Sequence, residues 1–151
     1  MPSTGRIPQI LLVEDSEDDA YFFLRISART GIKTEIKHVS NGLAAIDALK
    51  ACLTDQTPQA PAPDLMFLDL KLPHVDGFEV LSWVQKQTAL PPLKIVVLSG
   101  SEDSGDVRKA RALGAFACYA KPLEAGQFRG ILATCGLTPP AASAPGTKPV
   151  E

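Results

Sequence analysis

Short runs of consecutive apolar residues alternate along the chain with stretches whose apolar positions recur every three or four residues. Ile10-Leu11-Leu12-Val13 is the first run, and its length and continuity predict a strand buried on both faces. Ser16 then stands as an N-cap before an acidic turn. The bulky run Ala20-Tyr21-Phe22-Phe23-Leu24 reads locally as strand. A helix is nevertheless predicted there, because Ile26 and Ala28 continue it with no turn signal before Gly31. Residues Thr34 to Val39 alternate and predict a second strand. Asn41-Gly42 opens a helix in which Leu43, Ala45, Ile46, Leu49 and Leu53 share helical spacing. The stretch TDQTPQAPAP, residues 54–63, is a loop, and residues 64–69 form the third strand. From about Gly77 a helix carries Phe78, Val80, Leu81 and Val84 and is ended by Pro91-Pro92. Ile95 to Leu98 is a fourth buried strand, and Glu102 to Leu113 a helix closed by Gly114. Phe116 to Ala120 is the fifth strand, and Glu124 to Cys135 the last helix, closed by Gly136.

Five strands alternating with five helices predict an α/β fold, a doubly wound (βα)5 unit with a five-stranded parallel sheet. The expected organisation is an N-terminal tail at 1–8, one domain at 9–135 and a Pro/Ala-rich tail or arm at 136–151. A length of 151 residues agrees with a single domain. With only about fifteen residues after the last helix, no DNA-binding or enzymatic output domain is expected there.

Composition mainly excludes. A net charge of −2 without a Lys/Arg run gives no support for nucleic-acid binding. No apolar stretch reaches membrane-span length, and MPSTGRIPQ is not a signal peptide, so a cytoplasmic protein is expected. Cys52, Cys118 and Cys135 are widely spaced, which suggests neither a disulfide framework nor a zinc site. His38 and His74 are isolated, against a histidine metal site or triad.

In a doubly wound sheet, ligands gather beyond the carboxyl ends of the strands. The first strand here ends at Glu14-Asp15, the third at Asp69, the fourth at Ser99, and the fifth just before Lys121-Pro122. Taken singly, an Asp after a strand is usually a turn or cap, Ser99 a loop hydroxyl and Lys121 a solvated side chain. Their joint occurrence at four strand ends is a different matter. Three acids drawn together repel, and a hard divalent cation with oxygen ligands, Mg²⁺ above all, relieves that. No glycine-rich phosphate loop follows the first strand, which disfavours dinucleotide binding and P-loop hydrolysis.

The segments LLVED (11–15), LDLKLPHVDG (68–77), VVLSG (96–100) and YAKP (119–122) resemble the CheY-like receiver domain of two-component response regulators. The spacings of 30 residues from Asp69 to Ser99 and 22 from Ser99 to Lys121 agree. The resemblance implies a flavodoxin/CheY-like strand order of 2-1-3-4-5 and a phosphoacceptor role for Asp69. It places Mg²⁺ on Asp15, Asp69 and the Lys71 carbonyl, with Glu14 contributing directly or through water. Lys121 and Ser99 would hold phosphoryl oxygens, and Lys121-Pro122 would be a cis peptide. The implied partner is a sensor histidine kinase. The VEDSEDD opening and the Pro-containing loop before the third strand are most like regulators paired with phytochrome-type kinases. A phosphotransfer protein is a further expected partner, as is a homodimer formed through the last helix and the tail, with Leu132 and Leu137 in the arm.

Where many receivers carry a switching aromatic, this chain has Cys118, and strand alternation should turn Tyr119 to the opposite face. Lys71 and Ser101 are expected to govern phosphate lifetime. The domain is thus expected to accept its own phosphoryl group rather than act as a multiple-turnover enzyme. Two other readings stay open: a phosphate-independent pseudo-receiver, and a Mg²⁺-dependent phosphohydrolase with an aspartyl nucleophile. The latter class would want an acid two residues after the nucleophile, where Lys71 stands.

Overall fold

A computed structural model of the chain describes residues 7–54, 62–100 and 104–137. Within them five strands and five helices alternate: β1 (Gln9–Val13), α1 (Glu17–Arg29), β2 (Glu35–Val39), α2 (Gly42–Thr54) and β3 (Leu65–Asp69) come first. They are followed by α3 (Gly77–Gln85), β4 (Lys94–Ser99), α4 (Ser104–Ala112), β5 (Ala117–Ala120) and α5 (Ala125–Thr134). The strands form one parallel sheet in the order β2-β1-β3-β4-β5, the order that the resemblance implied.

Strand side chains point alternately to the two faces, and both faces are covered. Leu11, Val13, Met66, Leu68, Ile95 and Val97 meet α2, α3 and α4 through Ala45, Leu49, Val80, Leu81 and Ala110. Ile10, Leu12, Leu65, Phe67, Val96 and Leu98 meet α1 and α5 through Phe23, Phe128, Ile131 and Leu132. This two-sided burial explains why β1, β3 and β4 read as unbroken apolar runs. The bulky run in α1 resolves the same way. Ala20 and Phe23 face the sheet, whereas Tyr21, Phe22 and Leu24 are exposed on the helix's outer side.

Local chemistry sets the helix ends. Ser16 caps α1, its Oγ accepting the Asp19 N–H at 3.2 Å. Asp76 and Glu79 form a reciprocal capping box at the start of α3. Gly31, Gly114 and Gly136 adopt positive φ just beyond α1, α4 and α5, as helix-terminating glycines do.

Two expectations need correction. Helix α3 ends at Gln85, well before Pro91. Its last carbonyls are already satisfied there, because the Lys86 and Gln87 N–H groups turn back onto Trp83 and Val84 and the Gln87 side chain donates to Trp83 O. Leu132 is fully buried among Phe67, Phe128 and Ile131, so it cannot belong to an arm on another protomer. The expected start of α4 at Glu102, Ser101, and the tail beyond residue 137 lie outside the described residues. No helix among the described residues is long and apolar enough to cross a membrane.

Candidate functional site

The site grows from the way three central strands end. At the close of β1 the chain splits a pair of acids: Glu14 is 3% exposed, while Asp15 projects into solvent. The Glu14 N–H donates to Val39 O at 3.0 Å, which ties the pair to β2. His38 of β2 adds a second tie, with its Nε2 2.8 Å from the Glu14 carbonyl; that nitrogen must carry the proton.

Asp69, the last residue of β3, is 6% exposed. Beyond it Leu70 and Leu72 are buried in the α2–α3 layer, and this anchors the loop with the intervening Lys71 side chain outside. The Lys71 N–H then donates to Asp69 Oδ1 at 3.2 Å. Close packing completes the loop, since a Cβ on Gly77 would lie 2.6 Å from the Asp69 carbonyl oxygen.

Ser99 ends β4, also 6% exposed, and its carbonyl accepts the Lys121 N–H at 2.8 Å. The peptide that follows, Lys121-Pro122, is cis. From this position Lys121 Nζ reaches Glu14 Oε1 at 2.7 Å, Asp19 Oδ2 at 3.1 Å and Asp69 Oδ2 at 3.2 Å. Among the described residues, Glu14, Asp15 and Asp69 can each offer a carboxylate oxygen within 4.8 Å of the others.

Electrostatics follows from this crowding. Burial raises the Glu14 carboxyl above its usual range, and the Asp69 charge adds to that. The hydrogen bonds from Lys121 and the Ser16 N–H work in the opposite direction. For Lys121, burial disfavours the charged form. The Glu14 hydrogen bond, the Asp69 charge and the Asp19 hydrogen bond outweigh it and raise the ammonium above the ordinary lysine value. One cation thus faces an excess of carboxylate. The donor set is all hard oxygen, and that combination fits a divalent cation such as Mg²⁺.

Of the six residues singled out from sequence, the side chains of Glu14, Asp15, Asp69 and Lys121 meet here, while Ser99 and Lys71 are tied to them through their backbones. Two contacts were missed. Asp19 looked like one acid of a helix N-terminus, and only its place one turn past the Glu14-Asp15 pair hinted at more. His38, isolated in sequence, adjoins the acid pair through β2. Cys118 packs on the α2–α3–α4 face and Tyr119 on the α1–α5 face, the alternation expected.

Residues 10–133 match the sequence profile described as the response regulator receiver domain. The chain is 35% identical over 114 residues to the probable methanogenesis regulatory protein FilR2 of Methanothrix harundinacea, covering 76% of this chain and 72% of that protein. It is 36% identical over 98 residues to response regulator Rcp1 of Synechocystis sp., covering 65% of each. Among solved structures, the bacteriophytochrome response regulator RtBRR superposes with a TM-score of 0.74 at 33% identity, over 96% of this chain and 85% of its own. The Mn²⁺-bound form of Rcp1 has a TM-score of 0.68 at 30% identity, over 83% and 90%. The phosphorylated cyanobacterial phytochrome response regulator RcpA has one of 0.73 at 28% identity, over 93% and 100%.

Proposed function

The chain belongs to the response regulator receiver family, and from that premise we propose that it accepts a phosphoryl group on Asp69 from a sensor histidine kinase and signals through altered protein contacts or onward transfer. The observation that carries this is the setting of Asp69. A buried carboxylate at a strand end has one oxygen on the Lys71 N–H and the other on Lys121, with two further acids beside it.

In the proposed step an Asp69 carboxylate oxygen attacks phosphorus as the P–N bond to the kinase histidine breaks and the imidazole leaves. The Lys71 N–H and Lys121 hold the carboxylate in orientation beforehand, and Lys121 then donates to a phosphoryl oxygen. Ser99 donates to another. Mg²⁺ held by Asp15, Asp69 and the Lys71 carbonyl would supply neutralisation of charge on the transferring group. Glu14, whose Oε1 meets Lys121 and whose Oε2 accepts the Ser16 N–H, would contribute to the cation directly or through water.

Kinship with phytochrome response regulators supports a light-sensing histidine kinase as the phosphodonor. With Leu132 inside the core, a homodimer would use the exposed side of α5 and the tail.

Incubation with acetyl phosphate and Mg²⁺ tests the central step. The expected product is stoichiometric, base-labile phosphate on the wild-type protein and none on Asp69→Asn. Multiple turnover of a phosphomonoester would instead indicate a hydrolase, and no labelling a pseudo-receiver.

A further inference from the structure

Three carboxylates share the Lys121 ammonium, and one of them is unlike the other two. An ammonium has three N–H donors, so Glu14, Asp19 and Asp69 saturate it. Glu14 and Asp69 are buried, and either would be stranded as an uncompensated charge if Lys121 moved away. The Asp19 side chain is 51% exposed, so water takes over its hydration as soon as the contact opens. Its carboxylate has no part in capping α1, where only its backbone N–H bonds to Ser16 Oγ.

We propose that Asp19 is a positioning residue that acts through Lys121 and restrains phosphorylation of Asp69. In the resting protein its carboxylate draws the ammonium toward the first turn of α1 and competes for it with the incoming phosphoryl group. The same negative charge faces a group that itself brings roughly two negative charges. Both effects oppose the step, and both reside in a half-exposed side chain. This inference rests on Asp69 being the acceptor.

The test compares initial rates of labelling by acetyl phosphate at saturating Mg²⁺. Asp19→Asn, which keeps shape and loses charge, is expected to label about two- to fivefold faster, the scale of an exposed ion pair. Asp19→Glu restores the carboxylate and should return to the wild-type rate. Asp18→Asn removes an equivalent charge from the same helical turn without touching Lys121, and should leave the rate unchanged. Raising the salt concentration should shrink the Asp19→Asn advantage, because an exposed charge is screened. A wild-type or slower rate in Asp19→Asn, or an equal gain in Asp18→Asn, would overturn the role of Asp19 alone. Absence of labelling in the wild type would overturn the acceptor assignment, and the role of Asp19 with it.

Discussion

At the scale of single residues, Lys121 decides the character of the site. Its ammonium lies among the carboxylates of an acidic cluster, so a divalent cation entering there would compete with it for Glu14 and Asp69. Replacing it with Met removes one like charge from beside the cation's oxygen ligands. Mg²⁺ affinity by titration calorimetry should then rise roughly tenfold; an unchanged or weaker affinity would show that the ammonium and the metal do not compete. The same residue gives a pH signature. Lys121 holds its proton more tightly folded than unfolded, because its carboxylate partners outweigh burial. Its contribution to stability is therefore complete below the unperturbed value of 10.5 and is lost as pH rises from there through the raised folded value. In metal-free buffer, the stability gap between wild type and Lys121→Met should stay level from neutral pH to about 10 and narrow above it. A gap that closes between pH 7 and 9 would contradict this.

At the scale of elements, the β3–α3 connection is the most constrained piece. Buried Leu70 and Leu72 pin it, the Asp76–Glu79 capping box starts the helix, and Gly77 presses against the β3 backbone. A methyl at Gly77 would meet the Asp69 carbonyl oxygen at 2.6 Å and Leu70 Cα at 2.7 Å, both backbone atoms that cannot turn aside. Gly77→Ala should cost about 2 kcal/mol in urea unfolding. It should also slow labelling of Asp69, because the displaced loop carries the Lys71 N–H that orients the carboxylate. Full stability together with full labelling would show that the loop yields without consequence. This constraint was only partly legible beforehand. Asp76-Gly77 announced a turn, but the close approach to Asp69 depends on where α3 packs. The early end of α3 was hidden for a related reason, since nothing in the residues before Pro91 foretells which side chain will satisfy the last carbonyls.

At the scale of the whole molecule, two cores on opposite faces hold the sheet in place. The α1–α5 core is centred on three rings: Phe23 lies edge-on to Phe67 with centroids 4.8 Å apart, and Phe128 stacks on Phe67 at 5.9 Å. Phe67 is fully buried at the middle of β3, two residues before Asp69, so Phe67→Ala should cost about 3–5 kcal/mol by chemical denaturation. A loss below about 1 kcal/mol would mean that this cluster is not central to the fold.

What the sequence determined by itself was the alternation of buried runs and amphipathic stretches, and hence five strands, five helices and a row of ionisable residues at the strand ends. Such periodicity is local, and burial on two faces writes it directly into residue choice. Which of those residues lie against Lys121 follows only from how the layers assemble. Asp19 and Lys121 lie 102 positions apart, and their contact exists because α1 and α5 pack on the same face of the sheet. The same packing turned Leu132 inward and left Tyr21 and Phe22 outside. Periodicity tells which positions are apolar; only the assembled layers tell which of them have something to pack against.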